Sequence, residues 1–166
     1  HCNREIAGMT DRKPISIWHP AVIAATWFWS GLSPRAPGTM GSLAALPFGY
    51  AILYYVGQEA LLLATISVFC LGTLATNIYL KKTGKQDPGE VVIDEVAGQW
   101  IPLLIVGTDL ILFALAFILF RLFDILKPWP ISWMDRHIKG ATGVMIDDIV
   151  AGLFALLSLL VIKQVL

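Results

Sequence analysis

Apolar residues run along this chain in blocks rather than in strict alternation, and glycine, proline or charge punctuates each block. No charge lies between Arg35 and Glu59, and the apolar part of that stretch runs from about Leu43 to Val56. A second uncharged run, Ala60 to Leu80, holds 21 residues rich in Leu, Ala, Ile and Val. That length is enough to cross the ~30 Å hydrocarbon core of a bilayer as a helix. The first run carries Pro47 and Gly49, which membrane helices tolerate where neighbours cover the backbone. With Gly57-Gln58 between them, the two runs predict a helical hairpin. A second hairpin is predicted from Val96 to Val106, through the turn Gly107-Thr108-Asp109, and back along Leu110 to Phe120. Each of its arms is short for a full span and must tilt, thin the bilayer or reach only part-way. A last apolar run, Ile149 to Ile162, precedes Lys163. Residues Ile17 to Leu32, with Trp18, Trp27, Phe28 and Trp29, predict an amphipathic interfacial helix.

Composition turns this pattern into a class. The 166 residues are 57% hydrophobic and 14% charged, against about 45–50% and about 25% in soluble domains. Mean hydropathy is +0.72. A soluble domain of this size must still cover its surface with polar groups, so the expectation is an all-α, polytopic membrane bundle with short cytoplasmic connecting segments. The helical domain is expected over 17–166, after an N-terminal extension, 1–16. The chain begins with His1, and Met9 is the expected start, with residues 1–8 upstream of it. Cys2 and Cys70 make no disulfide framework, and Cys70 lies inside an apolar run.

Charge fixes an expected orientation. Twelve basic and twelve acidic residues cancel, leaving no basic field for nucleic acid. With a cytoplasmic N-terminus, the inside segments are 1–42, 81–95 and 121–148. They hold Arg4, Arg12, Lys13, Arg35, Lys81, Lys82, Lys85, Arg121, Lys127, Arg136 and Lys139, leaving only Lys163 outside. The opposing turns carry Glu59 and Asp109 and no base. This is the positive-inside distribution.

The same threading brings acidic residues from three segments to one membrane face: Asp94 and Glu95, Asp124, and Asp147 and Asp148. Ionisable groups near a bilayer are costly unless paired, solvated or bound to a cation, and hard divalent ions take oxygen ligands. Each doublet also fits a helix cap, because acids are favoured at helix N-termini. Arg121, Asp124 and Lys127 are spaced by three, and fit an i,i+3 ladder on one helix face. The Gly/Pro/Ser/Thr-dense stretch Gly31 to Ser42 fits either an anion-cradling turn or a plain connector. It lacks the spacing of a nucleotide-binding P-loop. His19 and His137 have no partner at zinc-ligand spacing. Trp129 and Trp133, beside Pro128-Trp129-Pro130, read as interface anchors.

Four segments in order, GLSPRAPGTMGS (Gly31–Ser42), IDEVAGQW (Ile93–Trp100), FRLFDILKPWP (Phe120–Pro130) and GVMIDDIVAG (Gly143–Gly152), resemble the phosphatidylglycerophosphatase A family. The resemblance covers about residues 17–165. It implies a Mg²⁺-dependent phosphatase of the bacterial inner membrane that converts phosphatidylglycerophosphate to phosphatidylglycerol. It also implies an all-helical fold shared with soluble relatives, so some short apolar segments are core rather than lipid-facing. By that resemblance Asp94, Glu95, Asp124, Asp147 and Asp148 are candidate metal ligands or the general base. Arg121, Lys127 and Arg136 are expected to hold phosphate oxygens, with Ser33, Thr39, Gly41 and Ser42 completing the anion pocket. The expected partners are the lipid substrate and the surrounding membrane lipids. The competing readings are a phosphatase for another lipid phosphate, a small cation transporter and a non-catalytic assembly subunit. A transporter would set carboxylates near the bilayer midplane.

Overall fold

Prolines open the first two helices, and left-handed backbone closes two of the later ones. In the computed structural model, which describes residues 15–86 and 88–165, α1 is Pro20–Ala25 and α2 is Pro37–Tyr55. Each begins on a proline, where the missing N–H leaves no helix bond unmade. α3, Gln58–Thr83, ends at Gly84 with φ 72°, a conformation that costs glycine little. α4 is Ile93–Leu103. α5, Leu110–Leu126, starts on Asp109, whose Oδ1 accepts from the Ile111 and Leu112 N–H groups at 2.8 and 3.1 Å. It stops at Lys127, where φ is 43°. α6 is Ile131–His137 and α7 is Gly140–Val165. With a 3-10 turn at Ser30–Leu32, these seven helices make up the regular structure of the described residues, and no strand occurs among them.

Four elements differ from the sequence expectation. Residues 17–32 do not form one interfacial helix. α1 is six residues long, and Trp27, Phe28 and Trp29 then take φ of 45°, 53° and 65°, which ends it. The Trp27 ring turns inward, meeting Trp100 edge-on at 5.8 Å between centroids. Residues 37–42 belong to α2 rather than to a loop. α7 begins at Gly140 instead of Ile149, and α5 runs past Phe120 to Leu126. Acids and bases at the ends of apolar runs marked the edges of hydrophobicity, not of helix. The expected extension, residues 1–16, lies outside the described residues except for Ile15 and Ser16.

α4 is the hub. Every residue from Ile93 to Leu103 except Glu95 is buried, and α2, α3, α5 and α7 all pack around it. Glycine sets the approach. A Cβ on Gly152 of α7 would stand 2.4 Å from the Gly98 carbonyl oxygen, and one on Gly98 would stand 2.6 Å from the Asp148 carbonyl oxygen. Gly49 of α2 faces Trp100 and Leu103, and Gly72 of α3 faces Ile93. Trp100 Nε1 also donates to the Ala45 carbonyl of α2 at 2.9 Å. Small residues at helix contacts are the usual means of close packing where lipid removes the hydrophobic drive between helices.

The outer faces are apolar. α3 and α7 each have 26 residues, about 39 Å of helix at 1.5 Å per residue. Leu63, Leu71, Leu157 and Val161 on them are more than half exposed. Both helices are thus long and apolar enough to cross a membrane, with large apolar side chains turned outward. α4, with 11 residues and about 16 Å of length, is too short to cross and sits inside the bundle.

Because the α4–α7 contact is backbone against backbone, Gly152→Ala should destabilise the fold by about 1–3 kcal/mol. Gly89→Ala, where a Cβ meets nothing within 4 Å, should stay within about 0.5 kcal/mol. Unfolding of both variants in detergent is the measurement.

Candidate active site

The close crossing of α4 and α7 carries Asp94 and Glu95, in the first turn of α4, towards Asp148 of α7. Ligand oxygens of Asp94, Glu95 and Asp148 all lie within 4.8 Å of one another. Asp94 and Asp148 are 7% and 3% exposed, too little for water to screen them. Three buried oxygens, Asp94 Oδ1, Glu95 Oε2 and Asp148 Oδ2, have no hydrogen-bond partner among the described residues. Burial first, and then the charges of Glu95 and Asp148, hold the Asp94 carboxyl well above the usual carboxylate range. Burial likewise raises Glu95, against the pull of Arg121.

Capping does not account for these acids. Asp147 and Asp148 lie two turns inside α7, where backbone N–H groups already have helical partners. The N-cap of α4 is Val92, with no side-chain cap bond. A buried, oxygen-only donor set with orphaned lone pairs fits a hard divalent cation. Asp94, Glu95 and Asp148 are the residues that would hold it.

Two basic side chains brace the remaining acids. Arg121 pairs with Asp124 on the same face of α5, with Nη1 also 4.0 Å from Glu95 Oε1. Lys127 Nζ sits 2.9 Å from both Asp135 Oδ1 and Asp147 Oδ2. Burial opposes the Lys127 charge, but those two carboxylates outweigh it and hold the ammonium above its ordinary range. Asp147 Oδ1 in turn accepts from the Asp148 N–H at 3.1 Å. Asp94, Glu95, Asp124, Lys127, Asp135, Asp147 and Asp148 thus line one cavity of about 180 Å³, with Gly89, Gly140 and Gly143 on its rim. All five predicted carboxylates meet here.

The predicted anion-binding residues are more scattered. Lys127 lines the cavity, whereas Arg121 does not and instead pairs with two residues that do, Glu95 and Asp124. Arg136 is exposed and its Nε donates to the Ser132 carbonyl of its own helix at 3.0 Å. Ser33 donates to the Arg35 carbonyl, and Ser42, buried inside α2, donates to the Gly38 carbonyl. Gly41 packs against Val92, and Thr39 is half-buried off the cavity. The glycine-rich segment reaches the acids through Gly38 instead: a Cβ there would stand 2.4 Å from Glu95 Oε1 and 3.3 Å from both Arg121 Nη atoms. Sequence reasoning passed over Gly38, Asp135 and Lys139. Asp135 and Lys139 flank Arg136 at a spacing of four, which was the available signal.

The sequence profile of Phosphatidylglycerophosphatase A matches residues 23–163, a span that includes every carboxylate of the cavity. The chain belongs to the phosphatidylglycerophosphatase A family. A phosphatidylglycerophosphatase A from Escherichia coli (strain K12) is 44% identical over 139 residues, covering 83% of this chain and 78% of the relative. One from Haemophilus influenzae is 37% identical over 159 residues, 93% of this chain and 98% of the relative. A Bacteroides thetaiotaomicron protein, named provisionally as a phosphatidylinositol-3-phosphatase, is 39% identical over 152 residues, 87% of this chain and 94% of that one. No solved structure matches the chain. In this member of the phosphatidylglycerophosphatase A family, the acidic cavity joins three of the four segments that carried the resemblance.

Lys127 is the cation between two carboxylates, so Lys127→Met should lower stability by about 1.5–3 kcal/mol, the usual worth of hydrogen bonds to charged groups. Arg136→Gln should change it by less than about 0.5 kcal/mol. Chemical unfolding of the two variants compares them directly.

Proposed function

We propose that the chain hydrolyses phosphatidylglycerophosphate to phosphatidylglycerol and inorganic phosphate, using Mg²⁺, at the cytoplasmic face of the bacterial inner membrane. The observation that carries this reading is the buried trio of Asp94, Glu95 and Asp148 with three unpartnered oxygens, in a chain of this family. When bound there, the cation supplies positive charge to the phosphate oxygens and to the departing alkoxide. The chain's own residues do the rest. Lys127 Nζ, anchored by Asp135 and Asp147, faces the cavity and balances charge on the incoming monoester. Asp124, with Oδ2 held by Arg121, orients the attacking water and takes its proton at Oδ1. The packed helices of α4 and α7 fix these groups in advance, so little reorganisation accompanies the reaction.

Orientation follows from the bases. Lys81, Lys85, Lys127 and Lys139 surround the end of the bundle that holds the acids, and Asp109 caps α5 in a turn free of Lys and Arg. Cysteine placed at Gln58 should react with an impermeant reagent in intact cells, and cysteine at Gln86 should not. The reverse pattern would overturn the cytoplasmic placement. A second reading, hydrolysis of a different lipid monophosphate, is favoured by the name of the Bacteroides relative. A panel of lipid phosphates compared by kcat/KM decides between the two.

The test of the chemistry is phosphate release from phosphatidylglycerophosphate by the purified protein. Asp94→Asn and Asp148→Asn should each lower turnover by roughly three powers of ten or more. Asp109→Asn, which keeps the cap on α5 at the other end of the bundle, should retain it. Chelation should abolish turnover and Mg²⁺ should restore it. Activity that survives magnesium chelation and depends on zinc would contradict the proposal.

A further inference from the structure

A second cavity, of about 510 Å³, adjoins the acidic one between the end of α3 and the start of α7. Three lysines line it, Lys81, Lys85 and Lys139, and no Asp or Glu does among the described residues. Gln86, Lys139 and Gly140 line both cavities, so the two spaces meet along a shared wall. The lysines are held in different ways. Lys85 pairs with Glu90, and Lys139 donates to the Asp135 carbonyl at 2.9 Å. Lys81 follows Leu80, a further lining residue, at the point where the apolar surface of α3 gives way to charge. An acidic chamber therefore adjoins a basic one at the polar end of a long apolar helix.

We infer that the lysine-lined cavity binds the phosphodiester of the substrate lipid while the acidic cavity holds its terminal phosphomonoester. This rests on the proposed phosphatase reading. A lipid whose headgroup carries two phosphates joined by glycerol offers one dianionic end and one monoanionic link close to the acyl chains. The dianion needs the cation held by Asp94, Glu95 and Asp148. The diester bears a single charge and needs only ammonium donors, for which lysine is a suitable point charge. Placing the diester beside Lys81 also leaves the acyl chains next to the apolar face of α3, where Leu71, Leu74 and Ile78 are exposed. The arrangement distinguishes a two-phosphate lipid from a lipid with a lone monoester.

Kinetics in neutral detergent micelles test this with Lys81→Gln, and with Lys82→Gln as control. Lys82 sits at the same helix end, 2.9 Å from His19 Nε2, and does not line the cavity. In Lys81→Gln, KM for phosphatidylglycerophosphate should rise about tenfold, the effect of losing one charge-assisted contact, with kcat within about twofold. Phosphatidylglycerol, which has the diester alone, should inhibit the wild type competitively and the variant about tenfold less well. Inorganic phosphate should inhibit both equally, because it reports only on the acidic cavity. Equal weakening of phosphatidylglycerol and inorganic phosphate would overturn the subsite, as would a matching effect of Lys82→Gln. So would an unchanged KM in Lys81→Gln, which would leave the cavity without a part in holding the substrate. Absence of wild-type turnover would instead overturn the phosphatase reading itself.

Discussion

Everything at the acidic end of this bundle depends on how closely two backbones approach. α4 and α7 meet at Gly98 and Gly152 with carbonyl oxygens where side chains would otherwise stand. Asp94 lies one turn before Gly98, and Asp148 lies one turn before Gly152. The glycine contact therefore fixes the separation of the carboxylates as well as that of the helices. A wider crossing would keep the fold all-helical and apolar outside, yet would part the acids and let water between them. Gly38 plays a related part from α2, since its bare Cα lets the start of that helix lie against Glu95 and Arg121.

The opposing constraint is electrostatic. Asp94, Glu95 and Asp148 are gathered where neither water nor a protein cation neutralises all of them, while Asp124 and Asp147 each have a base of their own. Arg121 and Lys127 pair with the outer acids, and within the trio Arg121 reaches only Glu95, at 4.0 Å. The inner trio is left with lone pairs turned on one another. Unpaired buried charge costs several kcal/mol per ion, and burial accordingly holds the Asp94 and Glu95 carboxyls above the usual carboxylate range.

Much of this was legible in the sequence. Runs free of charge located α2, α3, α5 and α7, because in a membrane protein hydrophobicity and helix nearly coincide. The five carboxylates were legible as a group because they recur at the same end of successive helices. Helix boundaries were less legible. Asp147 and Asp148 looked like the start of a helix that in fact begins at Gly140, since a buried acid inside a helix has the same local pattern as a cap. The aromatic segment Trp27-Phe28-Trp29 looked like an interfacial stripe. Its left-handed backbone accompanies tertiary packing of Trp27 on Phe48 and Trp100, which no local pattern encodes. Gly38 lies against Glu95, far off in sequence, and Asp135 against Lys127, eight residues before it, so spacing within their own segments carried little signal.

The central claim is that Asp94, Glu95 and Asp148 form one site for a hard divalent cation. Calorimetric titration of the metal-free protein in detergent with Mg²⁺ tests it most directly, with Asp148→Asn titrated in parallel. Saturable binding by the wild type and its loss in Asp148→Asn is the predicted result. Equal binding by the two proteins, or no binding by the wild type, would contradict it.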